Sequence, residues 1–237
     1  MRIGVVTFPG SNSDVDALNA LAVAGVEPVS LWHESPDLQG VAGVILPGGF
    51  AYGDYLRAGV IARFSPVMRG VTDFAAKGGL VLGICNGFQV LAEARLVPGA
   101  LLRNRSIRFA SKIVAIKPGR LDSPFTHKAT GAAMHIPIAH GEGCYYADEA
   151  TLDELEASGQ ILFRYVRADG APALDPDDPA NPNGSLRAIA GVCNAAGNVA
   201  GLMPHPERMS ESILGSDDGM QLISSFVESA RAWETGR

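Results

Sequence analysis

Cys85 lies in Leu82-Gly83-Ile84-Cys85-Asn86-Gly87-Phe88-Gln89, between an apolar run that reads as a buried strand and a segment that reads as a helix. A Gly-x-Cys-x-Gly sequence at such a junction is the pattern of a nucleophile elbow. The glycines let the backbone turn sharply, which sets the side chain at the strand's carboxyl end and on the helix N-terminus. There the helix dipole favours a thiolate, and the Asn86 N–H points to where an oxyanion would form. The other reading of the same residue is a buried, inert cysteine.

A thiolate at work needs an acid and a base, and the five histidines are the candidates. His205 stands in Gly201-Leu202-Met203-Pro204-His205-Pro206-Glu207-Arg208, directly after an apolar run. In extended backbone, residues i and i+2 face the same side roughly 6–7 Å apart, so Glu207 reaches one imidazole nitrogen and leaves the other for Cys85. The flanking prolines fix φ and stiffen the segment. Taken alone, His-Pro-Glu also reads as a surface turn with a solvated glutamate. His33, at a strand end, reads as a packing or capping residue, His127 as a loop residue, and His135, inside an apolar strand, as a satisfied core histidine. His140-Gly141-Glu142-Gly143 fits either a backbone that approaches a ligand or a hairpin turn. The other Gly-rich stretch, Leu46-Pro47-Gly48-Gly49-Phe50-Ala51-Tyr52-Gly53-Asp54, matches no nucleotide-binding pattern. A Gly pair at a parallel strand's end instead offers N–H groups to an oxyanion, at the edge where open α/β sheets place ligands.

These residues must be positioned by regular elements. Residues 2–7, 28–32, 41–46 and 79–84 read as strands, 14–24 and 86–95 as helices, and 56–77 as a helix in two pieces broken at Pro66. Strands apolar on both faces and separated by helices imply a parallel sheet covered on both sides. Beyond residue 100 the pattern loosens. Residues 108–117, 134–139 and 160–166 read as strands, 189–193 and 199–203 as a hairpin across 194–198, 220–233 as a closing helix, and 171–183 as a loop without core residues. No repeat or linker divides the chain, which is expected to form a single domain over residues 1–237.

Composition narrows the function classes. The chain has 237 residues, a net charge of −6, and 19% charged residues, against about 25% in a typical soluble domain. No apolar run approaches the roughly 18–20 residues of a membrane span, and the N-terminal run is too short for a signal segment, so a cytoplasmic protein with no membrane contact is expected. The acidic balance argues against a nucleic-acid surface, the one basic cluster being Arg103, Arg105, Arg108 and Lys112. Three cysteines, Cys85, Cys144 and Cys193, fit neither a disulfide scaffold nor a zinc knuckle, and no metal site is expected.

Several stretches carry a family likeness: Phe8-Pro9-Gly10-Ser11-Asn12, the run from Pro47 through Tyr52-Gly53-Asp54-Tyr55 to Gly59, Gly83 to Gln89, Leu101-Leu102-Arg103-Asn104, Ile138-Ala139-His140-Gly141-Glu142-Gly143, Asn181-Pro182-Asn183-Gly184-Ser185, and Gly201 to Arg208. Together they resemble class I glutamine amidotransferases nearly end to end. The elbow and His-Pro-Glu are general to that class; the Tyr52 to Tyr55 and Asn181 to Ser185 stretches point to the subgroup that serves purine biosynthesis. The resemblance implies a flavodoxin-like α/β fold, a mostly parallel sheet flanked by helices with an additional small antiparallel sheet region. It implies that Cys85 attacks the glutamine side-chain amide, with His205 as acid and base, Glu207 orienting it, and the Gly49 and Asn86 N–H groups as the oxyanion hole. Gln89 and the His140-Gly141 backbone would hold the amino-acid end of glutamine. No cofactor is expected in this chain. ATP and magnesium would sit on a partner, a large formylglycinamide ribonucleotide synthetase subunit that receives the ammonia, with a small accessory subunit left open. Ser13 stands where the family pattern leads one to expect Cys, and Arg105 is bulkier than expected. A stand-alone flavodoxin-like cysteine hydrolase or peptidase, and a non-catalytic binding subunit, are the competing readings.

Overall fold

The computed structural model describes residues 1–236. The apolar runs of the first half are four-to-six-residue strands joined by crossovers: β1 (Arg2–Thr7), α1 (Asp14–Val23), β2 (Glu27–Trp32), β3 (Gly43–Leu46), α2 (Pro66–Ala76), β4 (Leu80–Ile84) and α3 (Asn86–Glu93). There follow β5 (Ala100–Leu102), β6 (Ala110–Pro118), β7 (Met134–His140), β8 (Cys144–Tyr146), α4 (Glu149–Ala157), β9 (Ile161–Tyr165), β10 (Ile189–Cys193), β11 (Val199–Leu202) and α5 (Asp218–Thr235). One nine-stranded sheet runs in the order β2-β1-β3-β4-β11-β10-β9-β6-β7, and β5 pairs with β8 in a separate two-stranded sheet.

The sheet has two halves. From β2 to β11 the neighbours are parallel, and from β11 to β7 they are antiparallel. In the parallel half, every residue of β3 and β4 is buried, as expected where helices cover both faces. Phe226 of α5 packs on Phe125 with ring centroids 6.2 Å apart, and Phe88 of α3 packs on Tyr145 at 6.2 Å. Each such ring, fully buried, contributes about 1.5–3 kcal/mol. The expected hairpin exists, with Gly191 opposite Leu202 and Cys193 opposite Ala200. Among the described residues no helix is long and apolar enough to cross a membrane.

Three expectations need correction, and the helix α4 is an addition to them. Residues 56–65 are not a helix but an irregular path with one 3-10 turn at Ala62–Phe64. Gly59 stands there at φ +80°, and any Cβ would run into the Gln89–Val90 backbone of α3 at 2.7 Å. His135 is not a core residue. β7 is the edge strand of the sheet with alternating burial, and His135 falls on the outward phase. The 171–183 loop does reach the core, because Ala173 and Asn183 are buried. α4 gave no strong apolar stripe, and its cue was the N-cap: the Asp148 carboxylate accepts the Thr151 N–H at 2.8 Å.

Candidate active site

β4 delivers Cys85 into the first turn of α3 with φ 50° and ψ −105°, a left-handed backbone that costs a non-glycine residue on the order of 1–3 kcal/mol. Neighbours hold it there. The Cys85 N–H donates to the Leu202 carbonyl of β11 at 2.8 Å, and the Cys85 carbonyl accepts the Gln89 N–H at 3.2 Å. At Gly87 any Cβ would collide with the Leu46 carbonyl, so α3 sits directly on the end of β3. The Cys85 side chain is buried, and its thiol donates to the Ala139 carbonyl at 3.7 Å.

β11 runs parallel to β4 with Leu202 beside Ile84, so the segment after β11 emerges next to the elbow. His205 is fixed by its N–H to the Pro137 carbonyl at 2.8 Å, and its Nδ1 meets Glu207 Oε1 at 2.6 Å. Both side chains are almost wholly buried, so the pair is a strong charge-assisted bond. With Nδ1 engaged, Nε2 is left for Cys85. Burial disfavours the imidazolium, but the Glu207 carboxylate and the Cys85 thiolate outweigh it and raise His205 to about 10. The ring rests on Gly48, where a Cβ would meet His205 Cε1 at 2.6 Å. Behind it, Arg208 donates to Asp16 at 3.0 Å and to the Ser13 hydroxyl at 2.8 Å, tying the segment to α1.

The end of β3 is laced to the 8–13 loop: Phe50 N–H donates to Gly10, and the Asn12 and Ser13 N–H groups to Gly48. Gly49 turns there at φ +149°, where a Cβ would meet Gly10 O at 2.7 Å. Its N–H has no hydrogen-bond partner among the described residues. Asn86, as the first residue of α3, has no carbonyl one turn earlier in its helix for its own N–H. Two amides are thus free near the sulfur, as oxyanion binding requires. The Asn86 side chain is fully engaged: it accepts the Ala51 N–H at 3.0 Å and donates to Asp54 at 3.1 Å and to Gln89 Oε1 at 2.8 Å.

A cleft of about 200 Å3 opens beside these groups, lined by Gly49, Cys85, Gln89, Ala139, His140 and Gly141 among others. Five of the eight residues singled out in the sequence line this cleft; of the others, Asn86 follows Cys85 directly, and His205 adjoins Cys85 with Glu207 on its far nitrogen. Gln89 Nε2 donates to the Glu142 carbonyl at 2.6 Å, which ties α3 to the turn after β7. His140 is buried and pulled down to about 4, by desolvation first and the charge of His205 second. Three contributors escaped sequence reasoning. Asn104 faces His140 Nδ1 at 3.1 Å, and Asp54 and Glu142 also line the cleft. Each lies in a stretch that carried the family likeness, which was the available signal. Cys144 and Cys193 are free thiols elsewhere, both pushed up by burial. Among the described residues no cluster of His, Cys, Asp and Glu could hold a metal ion.

A profile of the CobB/CobQ-like glutamine amidotransferase domain matches residues 1–228. The chain is 55% identical over 234 residues to the phosphoribosylformylglycinamidine synthase subunit PurQ of Gloeobacter violaceus, covering 98% of this chain and 99% of that one. Against the protein of the same name from Rubrobacter xylanophilus the identity is 53% over 232 residues, with 98% and 100% covered. Among solved structures, PurLQS from Thermotoga maritima superposes with a TM-score of 0.82 and 41% identity, over 96% of this chain and 97% of that one.

Proposed function

The chain belongs to the CobB/CobQ-like glutamine amidotransferase family, and on that premise we propose that Cys85, His205 and Glu207 are its catalytic triad. It is the glutaminase subunit of a phosphoribosylformylglycinamidine synthase, working with a synthetase subunit in purine biosynthesis. The observation that carries the assignment of roles is the buried His205–Glu207 pair, 2.6 Å apart, presented to a cysteine held at φ 50°.

The steps follow from the parts. The Cys85 thiolate attacks the side-chain amide carbon of glutamine, and the oxyanion meets the Gly49 and Asn86 N–H groups. The His205 imidazolium gives its Nε2 proton to the departing nitrogen, and ammonia leaves. Water then attacks the γ-glutamyl thioester while His205 accepts its proton, releasing glutamate and restoring Cys85. Glu207 fixes the ring by Nδ1 throughout. Gln89 and the His140-Gly141 backbone hold the amino-acid end of the substrate, and the whole chain acts as one glutaminase domain in the cytoplasm. No cofactor enters these steps; ATP and magnesium serve the synthetase subunit. Ile107 and Phe109 are exposed and Phe109 borders the cleft, so the synthetase subunit would cover apolar surface at the mouth of the site.

The test is Cys85→Ala in the reconstituted complex. Synthesis from glutamine disappears while synthesis from added ammonium salt continues at the wild-type rate; loss of both rejects the role given to Cys85.

A further inference from the structure

We propose that Asp54 and Glu142 together bind the α-ammonium group of glutamine and make the site selective for the free amino acid over amides that lack that charge. The proposal rests on the glutaminase reading above and concerns the same cleft.

Both carboxylates line the cleft that Cys85 lines, and they reach it from opposite halves of the molecule. Asp54 follows β3 in a stretch where Tyr52, Asp54 and Leu56 all have positive φ, at 55°, 53° and 69°. It is fixed by the Asn86 side chain, the residue whose backbone N–H serves the oxyanion. Glu142 follows β7; its carbonyl accepts Gln89 Nε2, and its carboxylate accepts the Ala58 N–H at 3.4 Å. Two negative groups are therefore held at one opening by residues that also build the reaction site.

That arrangement is unfavourable until a cation arrives. Partial burial and then the charge of Glu142 raise the Asp54 carboxyl to about 6. Among the described residues, the cation paired with either group is Arg103, which stands 3.8 Å from Glu142, largely in solvent. A ligand ammonium would cancel the repulsion and give both carboxylates charge-assisted partners. A second feature adds an unfilled acceptor at the same cleft, which His140 also lines. His140 Nδ1 donates to Asn104 Oδ1, because the Asn104 amide nitrogen is committed to the Arg108 and His140 carbonyls at 2.9 Å each. His140 Nε2 therefore carries a bare lone pair; it is buried, and it has no partner among the described residues.

The experiment compares L-glutamine with 4-carbamoylbutanoate, which has the same side-chain amide and carboxylate but no ammonium, as substrates of the complex. Wild type strongly prefers glutamine. Asp54→Asn suits the same backbone, since asparagine tolerates positive φ. It lowers kcat/KM for glutamine about tenfold to a hundredfold, mainly through KM. The rate with 4-carbamoylbutanoate is little affected, so the preference collapses. Glu142→Gln, altered on a partly exposed side chain, shifts the preference in the same direction. A wild-type enzyme that uses both amides equally overturns the proposal, as do variants that slow both substrates by the same factor. If Cys85→Ala still hydrolyses glutamine, the triad reading fails instead, whatever the selectivity of the Asp54 and Glu142 variants.

Discussion

The end of β11 and the end of β7 each bring a buried histidine to the same cleft, and the two are driven in opposite directions. His205 is raised to about 10 and His140 is lowered to about 4. Burial opposes the charged form at both. One difference is the group on Nδ1: a carboxylate, Glu207, holds His205, and a neutral amide, Asn104, holds His140. The parallel half of the sheet therefore presents a proton donor and the antiparallel half a fixed acceptor. Residue type and burial do not separate the two roles; the surrounding charges do, with Glu207 first and the Cys85 thiolate second raising His205, and the charge of His205 itself lowering His140.

Replacing the Glu207 charge should have the largest effect. Glu207→Gln keeps the shape but leaves His205 without its anion, so glutamine hydrolysis should fall about a hundredfold to ten-thousandfold. The imidazolium should also lose its proton at lower pH, which a pH–rate profile would register as a basic limb displaced downward from about 10. Installing the missing charge is the converse. Asn104→Asp should raise His140 from about 4, visible in its NMR titration, and should slow hydrolysis about tenfold or more by placing a second cation near His205.

Stability should show the same contrast with opposite signs. His140 takes up its proton in the unfolded chain near 6.5 but in the folded chain only at about 4. Its contribution is complete above 6.5 and is lost as pH falls towards 4, an amount of about 3 kcal/mol. Thermal melts across that window should flatten in His140→Gln. His205 behaves in reverse, stabilising below 6.5 and losing that contribution as pH rises through about 10. The smallest effect is at Asp54, raised to about 6, whose ionisation costs stability once pH exceeds its unfolded value of 3.8. Asp54→Asn should gain about 1 kcal/mol at pH 8 after allowance for solvent screening, or about 2–4 °C in Tm, and nothing at pH 3.5. A variant that is firmer and yet binds glutamine worse would place the strain of that carboxylate pair in the service of substrate binding.

How much of this could be read from residues alone follows the same division. β1, β3 and β4 announce themselves because both faces are buried, leaving unbroken apolar runs, and Cys85 and the His205-Glu207 pair are short local patterns. Pairings between distant residues leave no such trace. Asn104 reaches His140 across 36 positions, and Gln89 reaches Glu142 across 53. Residues 56–65 have helix-like apolar spacing, yet tertiary packing of Gly59 against α3 overrides it. β5 and β8, three residues each, are too short for a period to appear. The apolar run around His135 implies burial on both faces, but β7 is an edge strand with alternating burial and His135 falls on its exposed side.

The place of β11 between β4 and β10 bears on how the chain is made. Strand β4 leaves the ribosome more than a hundred residues before β11, its partner on one side, so for about half of synthesis an apolar edge, Leu80–Ile84, has no neighbour on that side. The same delay keeps Cys85 apart from His205 and Glu207, so a reactive thiol is not assembled on an unfinished chain. A nascent chain interrupted before Val199 would thus be sticky yet chemically quiet, a substrate for chaperones and proteases before it is ever a glutaminase.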